Sequence, residues 1–321
     1  MYFLKRFFLI IPTFFCIMGL NFFIIHNAPG DPVAELLNQN DINSYAKMRF
    51  KTNFSDEELI QNLRKDFDLD KPLPLGFWRM IKKYAQGDFG YSYFKGQSVA
   101  QLIQSRLKIS LTLGLCSTFF TFVLALFLGI LKAIKNTSLL DRVSTFVLGG
   151  FYAIPPFVTA LIFIVWFQGC FFVSLKEPFS LGMFVLPVMT LVLHSLMKPT
   201  LLMKTAIIEE LNKPYVLVVK AKGASSLYIL FHHCVKNAFL VMISSLTYVF
   251  LFTFFFGTLM IEVLFSLEGL ASLSFEAIAN RDYPLILGCL YVYSLFGILS
   301  HIVSDGLYSV LDKRVQLEKV D

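Results

Sequence analysis

Lys220, Lys222 and Gly223 interrupt an otherwise apolar stretch, PYVLVVKAKGASSLYILFHHCVKNAF from Pro214 to Phe239, with two charges and a residue free to take positive φ. Pro214 fits the first turn of a helix, the lysines fall at its negative C-terminal end, and Gly223 supplies the left-handed residue that ends it. Ser225 or Ser226 can cap the next helix. The stretch therefore predicts two short amphipathic helices joined at Gly223, too short to cross a membrane. Reactive side chains elsewhere do not assemble. His232 and His233 are neighbours, and neighbours on a helix do not face one another. Cys16, Cys116, Cys170, Cys234 and Cys289 stand singly, without a C-x-x-C pair, and read as small packing residues. There is no Ser-His-Asp set, no paired carboxylates on one helix face and no G-x-x-x-x-G-K-[ST] phosphate cradle. The sequence thus offers no catalytic residue, no metal site and no cofactor site, and it is not read as an enzyme.

The elements that position the stretch are apolar helices. Of the 321 residues 56% are apolar, 36 are Phe and only 16% are charged. Six runs contain no Asp, Glu, Lys or Arg: Phe7 to Ile25, Ile109 to Leu131, Val143 to Leu175, Pro178 to Met197, Asn237 to Ile261 and Tyr283 to Ser304. A helix needs about 20 residues to cross a bilayer, so the fold class is an all-α membrane protein with six transmembrane helices. The first run is longer than the ~7–15 residues of a signal peptide's apolar region, and no small-x-small site follows it. Lys132, Lys135, Arg142, Lys198, Lys204, Lys213, Lys220, Lys222 and Lys236 fall on one side of the spans, against Lys176 and Arg281 in the short loops of the other. The basic side is cytoplasmic, which places both termini and the Gly223 stretch inside. The net charge of +6 is then a topology signal rather than a sign of nucleic-acid binding.

Three segments follow: 1–27 as the first span, 28–108 as a helical loop domain outside, and 109–321 as a five-helix core. In the loop, Ser55 with Glu58 makes a capping box ahead of Leu59, Leu63 and Phe67. A second helix is predicted over Phe77 to Gln86, GDFGYS turns the chain, and Ser98 with Gln101 caps a helix that runs into span two. Pro155 and Pro156 must kink the third run, either as a packing kink or as a candidate hinge.

From the residues alone, the Gly223 stretch has two readings. Its lysines can meet anionic lipid from an interfacial helix, or its apolar side chains (Val216, Val219, Leu227, Leu230) and charged edges can dock into a groove on a soluble partner. At this point the sequence resembles the permease subunits of binding-protein-dependent ABC importers, in particular the B-type subunit of the dipeptide, oligopeptide and nickel group. PYVLVVKAKG and HHCVKNAFLV stand where that family has patterns like DYVRTARAKG and RHALRNALIP. HNAPGDPV, GDFGYSY, LDRV, YAIPPF, LPVMTL, IEVLFSLEGL, RDYPLILG and LYSVLDKRV follow the family's landmarks in order.

The resemblance implies that Tyr215, Val216, Lys220, Ala221, Lys222, Gly223 and Ala224 belong to a coupling helix, within about 209–230, that docks into an ATPase subunit. It also implies a second homologous permease, two cytoplasmic ATPases that use the ATP, an extracytoplasmic peptide-binding protein, a bacterial inner membrane and an oligopeptide or dipeptide substrate. Nickel or another small solute fits the same architecture, and a non-transporting membrane scaffold is the alternative of another class. A proton-coupled carrier is disfavoured because it needs ionisable relays inside the spans, and His26, His194 and His301 lie at or near their ends. The sequence departs from the family at Leu217, Val218 and Val219, which make the coupling helix greasier, at Val241 in place of Pro, and at Leu267, Glu268 and Ala271, although Gly269 is kept.

Overall fold

The computed structural model describes residues 2–27, 72–92, 94–167, 181–256 and 258–311. The helix expected after Ser55 and Glu58, and Cys170, lie outside these residues. Twelve helices are named here in chain order: α1 (Tyr2–His26), α2 (Leu73–Ala85), α3 (Val99–Ile134), α4 (Leu139–Ala153), α5 (Pro156–Phe167), α6 (Leu181–Ser195), α7 (Met197–Leu211), α8 (Pro214–Ala221), α9 (Ser226–Ile243), α10 (Leu246–Leu264), α11 (Leu270–Ala279) and α12 (Tyr283–Leu311). Among the described residues the only strand-like pairing is an isolated antiparallel bridge between Tyr91 and Ser98. Four helices, α3, α9, α10 and α12, are each long and apolar enough to cross a membrane, and the bent pairs α4–α5 and α6–α7 bring the number to six.

These six are distributed differently from the six apolar runs. The run Asn237 to Ile261 is not one helix: it divides at Ser244 and Ser245, whose hydroxyls bond back to the carbonyls of Val241 and Met242. Serine back-bonding competes with the helix ladder, and α9 gains its length instead by starting at Ser226. The third run is broken rather than kinked, with 103° between α4 and α5 at Pro155. Two prolines remove two donors there, and the carbonyl of Ile154, an extended residue at the break, is met by the His194 ring of α6, whose Nε2 lies 2.5 Å away. The fourth run continues past Met197 into α7 through a 46° bend. Helices also outrun the uncharged stretches. α10 includes Glu262, fully buried and accepting a hydrogen bond from the Ser110 hydroxyl.

The chain forms two compact units, Met1–Lys108 with Glu268–Ile298, and Ile109–Leu267 with Leu299–Asp321. In the first, α2 buries Gly76, Met80 and Tyr84 at a spacing of four and exposes Leu75 and Trp78, the pattern of one helical stripe facing a core. Tyr291 is the hub of that core. Phe14, Tyr84 and Phe89 meet it edge-on with centroids 5.3–5.5 Å away. The GDFGYS turn relies on Gly87 and Gly90 at φ +80° and +77°, and it delivers Ser92 to buried Asp282, which accepts from the Ser92 hydroxyl and the Phe94 amide. In the second unit, α7 lies on α9 through Met203, Ala206, Ile207, Cys234, Ala238 and Met242. A side chain at Gly129 of α3 would stand 2.6 Å from Met203 Cβ, so the glycine permits close helix approach. Leu113, Ala160, Leu191 and Ile261 centre a second core where α3, α5, α6 and α10 meet.

Candidate coupling site

The segment around Gly223 folds as a knuckle between α7 and the body of α9. Pro214 occupies the first turn of α8, where its missing N–H costs nothing. At the other end, the Gly223 amide bonds the Lys220 carbonyl (3.0 Å) and the Ala224 amide reaches the Val219 carbonyl (3.4 Å), the paired bonds of a Schellman motif. Gly223 sits at φ +86° with nothing within 4 Å of where a Cβ would be. Its role is therefore backbone conformation, not space. The Ser225 hydroxyl then accepts the Tyr228 amide and starts α9. One turn later, Leu230–Cys234 opens into a π turn, a form often found at functional sites.

Exposure separates the roots of the knuckle from its tip. Val216 is 6% exposed, and Ile229, Leu230 and Cys234 are buried beside it. Leu217 is 70% exposed, Leu227 is 63% exposed, and Val218, Lys220, Ala221 and Lys222 are also open. Tyr215 and Ala224 are half-buried. Two of the side chains expected to meet a partner, Val216 and Leu230, thus face inward, and Leu217 and Val218 stand outward in their place. Pro155 and Pro156 lie at the α4–α5 break, apart from the knuckle in sequence and in elements.

A carboxylate that sequence reasoning missed organises the roots. Glu210, on the last turn of α7, accepts from the Lys213 ammonium on one oxygen, and on the other from the Tyr215 hydroxyl (2.8 Å) and the Asn237 amide (3.1 Å). Burial, reinforced by the carboxylate acceptor beside it, pushes the Tyr215 phenol above its ordinary value. The signal available in the sequence was an acid three residues before Lys213 at the end of an apolar helix. On one side, Glu210 and Asn237 line a cleft of about 700 Å³ with Leu126, Phe231, Lys236 and Tyr308.

A second charged cluster lies further back on α7. Asp141, one turn into α4, takes Lys204 of α7 on Oδ2 (2.7 Å) and faces Lys132 of α3 at 3.0 Å from Oδ1. The Lys132 contact is an ion contact without hydrogen-bond alignment. The Lys132 ammonium is instead satisfied by the Asp141 carbonyl and the Ser144 and Thr145 hydroxyls. Buried Lys132 and half-buried Lys204 share one carboxylate across three helices.

Residues 125–317 match the family described as the binding-protein-dependent transport system inner membrane component. The chain is 34% identical to an inner membrane ABC transporter permease protein, YejB, of Escherichia coli O157:H7, over 99% of each chain. It is 28% identical to a probable peptide ABC transporter permease protein, y4tP, of Sinorhizobium fredii, over 92% of each. Among solved structures, a chain of the MetNI methionine ABC transporter in inward-facing conformations superposes with a TM-score of 0.54 at 16% identity, over 66% of this chain and 97% of that one, a likeness of fold. With its helices, its membrane character and its sequence all in agreement, the chain belongs to the binding-protein-dependent ABC importer permeases of the bacterial inner membrane.

Proposed function

We propose that this chain is one of two permease subunits of an ATP-driven peptide importer, and that its knuckle is the handle on which an ATPase subunit pulls. Both termini and the knuckle lie on the cytoplasmic side. The chain carries no ATP site or other cofactor of its own and is not an enzyme. A second permease completes the path, two ATPase subunits supply the energy, and an extracytoplasmic binding protein delivers the peptide. The single observation that carries the reading is the tip of the knuckle, where exposed Leu217, Val218 and Leu227 are flanked by Lys220 and Lys222 on a helix closed by Gly223.

Such a tip fits an apolar groove with an acidic rim. Closure of the ATPases on ATP would move the knuckle, and the helices behind it would pass between inward-open and outward-open arrangements. Nucleotide shifts that balance because it binds the two arrangements with different affinity. The peptide substrate is supported by the resemblance to the dipeptide and oligopeptide group and by the peptide permease among the relatives.

The test is a cysteine substituted for Ala224, beside the tip, with the full importer assembled in membranes. A specific crosslink to the ATPase that changes with ATP is the expected result. Labelling by lipid-phase probes alone, with no ATPase crosslink in any nucleotide state, makes the knuckle an interfacial helix and removes the coupling role.

A further inference from the structure

We propose that Glu210 is a positioning residue for energy coupling: its carboxylate ties both roots of the knuckle to α7, so that a displacement of the tip reaches the helix bundle without slipping. The inference rests on the coupling role given above to the knuckle.

The knuckle leaves α7 after Leu211 and rejoins the bundle at Val235. Its two roots are far apart in sequence and meet at one side chain, through Tyr215 at the entry and Asn237 at the return. Glu210 is itself firmly placed. Met203, Ile207 and Glu210 recur at helical spacing on the face of α7 that packs against Ala238 and Met242. Lys213, which bridges α7 and α8, engages the other oxygen. Three donors thus make charge-assisted bonds to one carboxylate.

Packing alone would not give the same rigidity. Apolar burial is non-directional, so Val216, Ile229 and Leu230 resist withdrawal of the knuckle more than they resist its sliding. On one side the return root, half-buried at Val235 and Asn237, borders the cleft lined also by Glu210 and Lys236. Hydrogen bonds to a fixed acceptor supply the missing direction.

The test uses the full chain, assembled with its second permease and ATPases in nanodiscs. Spin labels are placed at the exposed positions Leu217 on the tip and Leu139 at the start of α4, in a background cleared of exposed native cysteines. The distance distribution is measured without nucleotide and in the vanadate-trapped state. Wild type is expected to give one narrow distance, the same in both states. Glu210→Gln, whose single acceptor oxygen cannot serve Lys213 on one side and Tyr215 with Asn237 on the other, is expected at least to double the width while ATP hydrolysis continues, and Glu210→Asp is expected to restore most of the narrowing.

A merely stabilising carboxylate would change the yield of assembled complex but leave its distances narrow. An E210Q distribution as narrow as wild type in both states therefore overturns the proposal. Tyr215→Phe, which retains the ring, is measured in parallel, and it decides the matter in the same way if E210Q does not assemble. The Ala224 crosslink, made in each background, separates two failures. A crosslink present with unchanged widths sinks only the role of Glu210. A crosslink absent from the otherwise wild-type chain sinks the coupling reading itself.

Discussion

Asp141 and Glu210 are both buried carboxylates facing lysine in the second unit, yet they solve different problems. Asp141 joins three helices of the bundle, α3, α4 and α7, through two lysines that are themselves largely buried. Glu210 faces one half-exposed lysine and two neutral donors, and the elements it joins are the bundle and a protrusion. The difference teaches where the molecule is rigid by charge and where by geometry. A cluster of two cations and one anion fails badly when any member is lost, because the remaining charges stay buried. A carboxylate with neutral donors loses less in stability when it is altered, and more in alignment.

That contrast breaks first at the knuckle. Gly223→Pro should eliminate peptide uptake with the protein still present in the membrane at wild-type level, because proline fixes φ near −65° where the chain needs a positive value. Retained uptake in proteoliposomes would remove the requirement for this bend. Gly223→Ala, which meets no neighbouring atom, should cost only about 1 kcal/mol from its left-handed backbone and keep transport.

Asp141→Asn acts on the other side of the contrast. It leaves Lys132 buried and Lys204 half-buried without an anion and should destabilise the chain by about 3 kcal/mol, read as a large fall in the melting temperature in detergent. Replacing all three charged residues together with Leu and Met should be milder than the single change, since no unpaired charge then remains. A triple variant less stable than D141N would mean that the cluster stabilises in its own right.

Glu210→Gln should cost about 2 kcal/mol, the scale of charged hydrogen bonds, so its melting temperature should fall less than that of D141N. Equal losses would erase the distinction between the two carboxylates. The smallest effect concerns pH. Tyr215 holds its proton more tightly when folded than when unfolded, so its contribution is fully present below the ordinary phenol value of about 10 and declines as pH rises beyond it. The stability difference between wild type and Tyr215→Phe should therefore be constant through neutral pH and shrink above about pH 10. A difference that grows in alkali would contradict the bond to Glu210.

How much of this was legible in the sequence depended on how far apart the interacting residues lie. The limits of α8, the positive φ of Gly223, the Ser225 cap, the turn through Gly87 and Gly90 and the start of α3 at Val99 all obey rules that act within a few residues, and the structure agrees with each. The division at Ser244 and Ser245 was hidden because two serines barely interrupt an apolar run, while their hydroxyls act on backbone that composition does not reveal. Glu210 and Asp141 were hidden for another reason. Asn237 lies 27 residues from Glu210, and Lys204 lies 63 from Asp141, so neither pairing exists until the helices pack. The inward aim of Val216 likewise follows from how α8 settles against α7 and α9, which periodicity over eight residues does not determine.

The π turn at Leu230–Cys234 has a consequence for the phase of the knuckle. An inserted residue advances a helix by about 100° and about 1.5 Å. The turn therefore sets the angle at which Leu217, Lys220 and Lys222 are presented relative to everything from Val235 onward. Deleting one residue there would restore ordinary helix and swing an otherwise unaltered tip around the axis of α9. The same five residues are a dial that resets the direction of the tip without changing a single side chain on it.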